Sequence, residues 1–347
     1  MNAVRRLVTG PQLAMQAQGV HAAVPPPPAM GIAGYLKDIG RGAAGARALT
    51  QDAAFDLMQQ VLKGQTTAVQ NGAFVMAMRM KGETLPEITG FLHAAQAHCV
   101  RVHSTQPVVL LPSYNGSRKL PNLTPLLALW LAREGLHVLM HGPMADATRV
   151  ASAEILDNLG VHAALHPADI VHAWHRREPA FVPTRVLCPP LQSLLDLRQA
   201  TGLRGPGHTV AKMLNPVVGA PALRVVNHTH PEFGKLMAEW AAHDGADALL
   251  LRGTEGEPVA DPRRQPRMDV WLAGQARADL SLPAQEGVLT ELPWLPRDTD
   301  AASTAVYVQE VLSGMRPLPA PLARQAALIM ATMAELERRG QPQAAAV

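Results

Sequence analysis

The sequence contains few cysteines, few aromatic residues and no long apolar run. Cys99 and Cys188 are the two cysteines among 347 residues, and Phe, Trp and Tyr together make up 4%. Two isolated cysteines form neither a disulfide framework nor the spacing of a zinc site. No apolar run reaches the ~18 residues of a membrane helix, and no apolar segment follows Arg5 and Arg6 as in a secretory signal. We therefore expect a reduced, cytoplasmic protein that does not contact membranes.

The remaining composition predicts two domains after a disordered tail. Hydrophobic residues make up 48% of the chain, which is enough for a sizeable core in more than one domain. Residues 1–29 include four consecutive prolines at 25–28 among Ala, Gln and Gly. Such a composition buries too little apolar surface to order itself, so we predict a disordered tail.

Helical patterns come first along the chain. Thr50 and Thr84 are good N-caps for amphipathic helices, and Glu87 completes a capping box with Thr84. These patterns predict a small all-α domain over residues 30–103, to which a helical pattern at 167–199 returns. From Val102 onward, strand-like runs at 108–111, 137–140, 224–227, 248–251, 270–273 and 287–292 alternate with helices. This alternation predicts an α/β domain over 104–166 and 200–347 with a mostly parallel central sheet flanked by helices.

The positive charge is distributed unevenly. Residues 1–120 contain 11 Lys and Arg against 5 Asp and Glu, whereas residues 121–347 contain 20 against 23. A second basic segment, 171–224, has 7 against 2. If the fold joins the two basic segments, they form a surface large enough for a polyanion. The alternative is that these charges are scattered and solvated.

One loop, Pro112–Thr124 (PSYNGSRKLPNLT), lies between a predicted strand and a predicted helix. Open α/β folds bind their ligands at this position, beyond the carboxyl end of a strand. A phosphate-binding loop would be rich in glycine, so that backbone N–H groups could approach the anion. This loop contains only Gly116, followed by Arg118 and Lys119.

Several segments together resemble a known family. They are residues 72–90 (GAFVMAMRMKGETLPEITG), Asn122-Leu-Thr124, His141-Gly142, 152–160 (SAEILDNLG), Leu214-Asn-Pro216 and the run VLSGMRPLP within 300–337. In this order they resemble the anthranilate phosphoribosyltransferases and their pyrimidine nucleoside phosphorylase relatives, over about residues 34–340. Residues 35–42, 113–124, 208–216 and 226–231 are more similar still to a divergent branch, the YbiB-type DNA-binding proteins. The resemblance implies a homodimer formed through the helical domain that binds DNA or RNA without sequence preference.

The resemblance also implies that the transferase chemistry is dismantled. The family's Gly-Thr-Gly-Gly-Asp loop falls on residues 112–116, where Tyr114 adds bulk. An arginine that would follow His141-Gly142 is replaced by Met144. The metal-holding carboxylates fall near 258–259, and Glu255, Glu257 and Asp261 are nearby but out of register. We therefore expect no catalytic residues, no metal site and no cofactor.

The resemblance and the charge pattern together assign candidate site residues. The nucleic-acid-binding candidates are Lys37, Arg41, Arg79, Lys81, Arg118, Lys119, Arg198, Arg204, His208 and Lys212. The positions of the ancestral substrate loop are Ser113, Asn115, Gly116, Asn122, Thr124, His141 and Gly142.

Three alternatives remain open at this point. One is a phosphoribosyl- or glycosyltransferase with an unusual acceptor, which would need Mg²⁺. Another is a sensor that binds a small ligand in the old cleft. The third concerns His228 and His230, which could be metal ligands but more often belong to an ordinary loop, since no third ligand is evident.

Overall fold

The N-terminal part of the protein is a helical domain. The computed structural model describes residues 31–42 and 44–340; the tail predicted over residues 1–29 lies outside these ranges. The first four helices are α1 (Ile32–Ile39), α2 (Gln51–Leu62), α3 (Ala68–Lys81) and α4 (Leu85–Ala97). The Thr50 hydroxyl accepts a hydrogen bond from the Ala53 N–H, and the Glu87 carboxylate accepts one from the Thr84 N–H at 2.9 Å. Both predicted helix starts are therefore confirmed.

The chain then builds the first half of an α/β domain. Its elements are β1 (Val102–His103), β2 (Val108–Pro112), α5 (Thr124–Arg133), β3 (His137–Gly142), α6 (Ser152–Asn158), α7 (Pro167–His175) and β4 (Ala180–Pro183). The Trp174 indole N–H of α7 donates to the Val138 carbonyl at 3.0 Å, which fixes α7 on the sheet.

The segment that returns to the helical domain is shorter at its start and longer at its end than residues 167–199. Helix α7 packs on β3 and β4, and β4 is a strand of the central sheet, so 167–183 belong to the α/β domain. After α8 (Thr184–Leu187), which still packs on β3 and β4, the return consists of α9 (Pro189–Thr201) and α10 (Pro206–Ala211). Helix α9 packs on α2 and α3, and α10 packs on α3 and α4.

The rest of the chain completes the α/β domain. Its elements are β5 (Val217–Val218), β6 (Ala222–His228), α11 (Pro231–His243), β7 (Ala248–Arg252), β8 (Met268–Leu272), β9 (Gln275–Ala276), α12 (Ala301–Leu312) and α13 (Ala320–Gly340). The strand predicted at 287–292 is wrong: this stretch is irregular, and Val288 and Leu292 are exposed. Isolated apolar residues on a surface loop gave this false strand pattern.

The strands form one seven-stranded sheet and one short pair. The sheet order is β4-β3-β2-β6-β7-β8-β9, and the first five strands are parallel. Strand β8 pairs antiparallel with β7, and β9 pairs antiparallel with β8. Strands β1 and β5 pair separately. One apolar core lies between the sheet and α5, α12 and α13, and a second joins the other sheet face to the helical domain. The predicted small all-α domain and larger α/β domain with a mostly parallel sheet are confirmed.

The two cysteines lie together in the second core. The Cys99 and Cys188 thiols approach the same carbonyl, that of Ala95, at 3.4 Å and 3.8 Å. The hydrogen bond with the Cys188 thiol, together with burial, raises the pKa of Cys99, so this thiol stays protonated. Within the described ranges, no helix is both long enough and apolar enough to cross a bilayer.

Candidate functional site

A cleft between the two domains contains a cavity of about 790 Å³. Its walls come from the end of α3, from α10, and from the loops that follow β2, β6 and β7. Two carboxylates, Glu83 and Glu255, line it. Seven cationic side chains also line it: Arg79, Arg118, Lys119, Arg149, Arg198, Arg204 and Lys212. The cleft therefore carries a clear excess of positive charge.

The loop after β2 is held in one conformation by the segment before α6. Ser117 and Val150 form a two-way backbone bridge, with N···O distances of 3.1 Å and 2.8 Å. Gly116 has φ +61°, and a Cβ there would lie 2.8 Å from the Val150 carbonyl oxygen. The Asn122 amide donates to the Ser152 hydroxyl at 3.1 Å. These contacts brace the loop, which presents backbone N–H groups at the sheet edge.

These N–H groups already hold an anion, the buried carboxylate of Glu257. One of its oxygens accepts hydrogen bonds from the backbone N–H groups of Asn115 and Gly116, at 2.7 Å and 2.8 Å. The other accepts from the hydroxyls of Ser113 and, at 3.2 Å, of Thr124. Glu257 is 1% exposed. Four donors at positions predicted to form a substrate loop are therefore satisfied from within the chain.

Glu255 binds the second half of the same loop. Its carboxylate accepts from the backbone N–H groups of Arg118, Lys119 and Leu120 at 3.2, 2.8 and 2.9 Å. Glu255 has φ +51°, a conformation that non-glycine residues seldom adopt. A Cβ at Gly256 would overlap the Asn115 amide, so only glycine permits this approach of the two loops. The turn thus directs both carboxylates at the loop.

The placement of Glu255 and Glu257 does not suit a magnesium ion. Mg²⁺ in a phosphate site needs carboxylate oxygens that face the substrate. The oxygens of Glu257 accept four loop hydrogen bonds and those of Glu255 accept three more. Among residues 31–42 and 44–340, no three side chains of His, Cys, Asp or Glu gather in a cluster that could hold a metal.

Tyr114 does not add bulk on the cleft side of the loop, contrary to the expectation from the sequence. Its ring is 5% exposed and belongs to the core that joins the two domains. Its hydroxyl lies 2.8 Å from Nδ1 of His141, and burial lowers the pKa of His141 to about 3. A Cβ at Gly142 would lie 1.9 Å from the Ser113 carbonyl oxygen. His141 and Gly142 therefore support the loop through their contacts with Tyr114 and Ser113.

Most of the predicted basic residues meet in the cleft, but three do not line it. Arg79, Arg118, Lys119, Arg198, Arg204, His208 and Lys212 line the cavity together. Lys37 and Arg41 are exposed on and after α1, outside the cavity lining, and Arg41 approaches Asp38 at 3.4 Å.

Lys81 is committed to the fold. Its ammonium lies 2.7 Å from the Glu87 carboxylate, and the side chains are 8% and 0% exposed. Glu87 also accepts hydrogen bonds from the backbone N–H groups of Leu49 and Thr84, both at 2.9 Å. This pair ties α3 to the start of α4, so the Lys81 ammonium does not contribute to the cleft surface.

Burial changes the acid–base properties of the cleft. It lowers the pKa of Arg204 to about 10 and that of Lys212 to about 8, and both pKa values remain above neutral pH. Burial and the neighbouring cations lower the pKa of His208 to about 3. His208 is therefore neutral near pH 7 and contributes hydrogen-bonding groups rather than charge.

The sequence reasoning missed Asn227 and Arg149. Asn227 is the last residue but one of β6 and lies in the cavity wall. It is fully buried and accepts a hydrogen bond from Lys212 at 3.0 Å. Arg149 lines the cavity and lies 3.7 Å from Glu255. A polar residue that directly follows the apolar run of a strand is a usable signal for such positions. His228 and His230 also line the cavity.

Sequence comparisons place the chain among known proteins. Residues 34–99 match the profile of the glycosyl transferase family, helical bundle domain. The chain is 35% identical over 305 residues to "Uncharacterized protein YbiB" of Escherichia coli K12, covering 86% of this chain and 93% of that protein. It is 28% identical over 224 residues to the anthranilate phosphoribosyltransferase of Symbiobacterium thermophilum, covering 64% and 65%.

Solved structures share the fold. The anthranilate phosphoribosyltransferase of Thermus thermophilus superposes with a TM-score of 0.66 at 22% identity, covering 87% of this chain and 90% of that one. The Saccharomyces cerevisiae enzyme in complex with PRPP and Mg superposes with a TM-score of 0.63 at 16% identity, covering 89% of each chain.

Proposed function

The chain belongs to a divergent branch of the anthranilate phosphoribosyltransferase superfamily that includes YbiB, and we propose that it binds nucleic acid through the interdomain cleft. The observation that carries this proposal is the cleft's charge, seven Lys and Arg against two carboxylates. Lysine and arginine bind the phosphates of any nucleic acid, which gives affinity without a sequence code.

The hydrogen bonds of Glu257 support this proposal over phosphoribosyl transfer. A pyrophosphate would need the loop N–H groups and hydroxyls that Glu257 already occupies. Arg118 and Lys119, by contrast, are exposed at the cleft mouth. Their backbones are fixed by Glu255, while their charged ends stay available for a polymer.

The test is the salt dependence of binding to a random-sequence duplex. The slope of log K against log salt is about −0.9 for each phosphate contacted. Replacing Arg118 and Lys119 together by Ala should weaken binding to all sequences alike and reduce the slope by about 2. Arg324→Ala, an exposed arginine on α13 outside the cavity lining, serves as the control and should change neither quantity. Negligible binding at ~50 mM salt would refute the proposal.

We also propose that the protein is a homodimer through its helical domain. Helix α3 exposes an apolar stripe formed by Val69, Ala73, Met76 and Met80, at helical spacings of four, three and four residues. A second copy that covered this stripe would duplicate the basic cleft and lengthen the binding track.

The alternative is a phosphoribosyl- or glycosyltransferase with an unusual acceptor. The retained positions Asn122 and Thr124 and the shared fold favour it. Calorimetry with phosphoribosyl pyrophosphate and Mg²⁺ separates the two proposals, since saturable micromolar binding would support the transferase.

A further inference from the structure

Two half-buried cations of the cleft, Arg204 and Lys212, lack the carboxylate partner that Arg198 and Arg149 have. Arg198 lies 2.7 Å from Asp146, and Arg149 lies 3.7 Å from Glu255. Throughout the described part of the chain, no carboxylate oxygen lies within 4.0 Å of the charged nitrogens of Arg204 or Lys212. Both donate instead to neutral acceptors. The Arg204 guanidinium donates to the Asn115 side-chain oxygen, and the Lys212 ammonium donates to the Asn227 side-chain oxygen at 3.0 Å and the Gly256 carbonyl at 3.2 Å.

The carboxylate of Glu257 does not fill this role. Its charge raises the pKa values of both Arg204 and Lys212, so it lies within electrostatic range of them. Its two oxygens are already engaged by four loop donors. The Arg204 charge in turn lowers the pKa of Lys212, which means that the two cations repel each other. Both cations would therefore gain from an anion that can also accept their hydrogen bonds directly, which Glu257 does not do.

A third donor belongs to the same place. Asn227 is fully buried and lines the cavity, and its Nδ2 group has no hydrogen-bond partner among the residues described. A buried amide N–H₂ without an acceptor is costly, and native proteins seldom leave one unmade. The hydrogen bond from Lys212 to the Asn227 oxygen fixes the orientation of the amide. The group without a partner is therefore the N–H₂ donor, and the partner it lacks is an acceptor.

We propose that Lys212, Arg204 and Asn227 form a binding site for a single phosphate monoester. Such a group carries −1.5 to −2 charges near pH 7 and three acceptor oxygens. It therefore matches an ammonium, a guanidinium and an amide donor in both charge and hydrogen bonding.

The depth of the site favours a monoester over the diester of a continuous strand. Lys212 is half-buried and Asn227 fully buried, whereas Arg118 and Lys119 are exposed at the mouth. A strand that runs past the mouth meets the exposed cations first, while a terminal phosphate can enter the cavity end-on. The proposal rests on the proposed function where the source is the 5′-phosphate of a nucleic acid; a free mononucleotide presents the same group.

The experiment compares ligands that differ only in the phosphate. Calorimetry on the full chain is carried out with AMP against adenosine, and with a 5′-phosphorylated against a 5′-hydroxyl oligonucleotide of one sequence. We expect AMP but not adenosine to bind, and the 5′-phosphate to tighten oligonucleotide binding at least tenfold, as expected for hydrogen bonds to a charged group.

Variants then locate the site. Lys212→Met should abolish the tenfold preference, whereas Lys119→Met, which removes the same charge at the mouth, should keep it. Asn227→Asp supplies Lys212 with an internal carboxylate of the same shape, so it should also abolish the preference while the fold is retained.

The outcomes separate this site from the proposed function. AMP binding that needs Lys212, without any oligonucleotide binding, supports the site and refutes the nucleic-acid function. Salt-dependent oligonucleotide binding that is the same with and without the terminal phosphate, together with no AMP binding, supports the nucleic-acid function and refutes the site. A phosphate preference that survives both Lys212→Met and Asn227→Asp overturns the proposed site.

Discussion

Two lysines of equal formal charge have opposite surroundings in this protein. Lys119 is exposed at the cleft mouth, whereas Lys81 forms an ion pair at 2.7 Å with the unexposed carboxylate of Glu87. From the sequence, both lysines are predicted to contact nucleic acid. Their roles differ because one ammonium already has a buried partner that also anchors two backbone N–H groups.

Lys81→Met should therefore lower stability and leave binding intact. Removing one partner of a buried pair leaves an uncompensated charge, here that of Glu87, at a cost of about 3 kcal/mol. Urea denaturation measures the loss, and Lys119→Met should show almost none. The slope of oligonucleotide affinity against salt, taken where both variants are folded, should fall for Lys119→Met alone. A reduced slope for Lys81→Met would show that its ammonium reaches the ligand.

Lys212 should make folding stability rise with pH on the alkaline side. Burial lowers its pKa from the ordinary value of 10.5 to about 8. Between these two values the unfolded chain binds the proton and the folded protein releases it, so stability increases as pH rises. The increase should be about 1–3 kcal/mol after allowance for partial exposure. Chemical denaturation of the wild type and Lys212→Met from pH 7.5 to 10.5 measures it; a constant difference between them would contradict the expected titration.

At the scale of elements, close contact between α2 and α4 depends on a glycine. A Cβ at Gly90 would lie 2.3 Å from the Gln51 carbonyl oxygen and 2.9 Å from the Ala54 Cβ. The two helices pack backbone to backbone here, which gives the helical domain its rigid centre.

Gly90→Ala should thus force the two helices apart. We expect a loss of about 1–3 kcal/mol, the usual cost of overpacking a well-filled core. Gly72→Ala in α3 is the matched control, because nothing lies within 4 Å of a Cβ there. It should stabilise the protein by about 0.5–1 kcal/mol through helix propensity. Melting curves of both variants test the pair, and equal shifts would contradict this explanation.

Elements with strong local signals could be predicted from the sequence, and those fixed by distant contacts could not. Thr50 and Thr84 mark helix starts through hydrogen bonds to residues only three positions away, the Ala53 N–H and the Glu87 carboxylate, so the sequence is sufficient there. Strand β4 has only four residues and ends in Pro183, and it forms because β3 offers an edge. The contacts of Glu257 join residues more than 130 positions apart, which no local pattern encodes.

At the scale of the whole molecule, the chain crosses between the domains and so builds one cleft from distant segments. The basic segments 1–120 and 171–224 contribute Arg79, Arg118 and Lys119, and Arg198, Arg204 and Lys212, to the same cavity. The charge counts alone left open whether these segments meet, and predicting their convergence also needed the resemblance to the family's fold. Individual partners, such as Asp146 for Arg198, followed only from the structure.

The proposed dimer makes a prediction at this scale. Met76→Asp should place a carboxylate in the apolar stripe of α3 and convert the protein to a monomer, since burying an unpaired charge is costly. Light scattering at micromolar concentration measures the mass. Val171→Asp, at a similarly exposed position on α7, is the control and should leave the mass unchanged. A wild type that is already monomeric would refute the dimer.

The internal carboxylate at Glu257 also limits which mutational paths this protein can follow. Replacing residues 113–116 by glycines would leave Glu257 in place, so the loop would gain flexibility but no room for a ligand. Removing Glu257 alone would strand two backbone N–H groups and two hydroxyls, at about 1–3 kcal/mol for each buried group left without a partner. Either first step costs stability without restoring an open loop. Because both first steps lower stability, Glu257 favours retention of the present form of the loop.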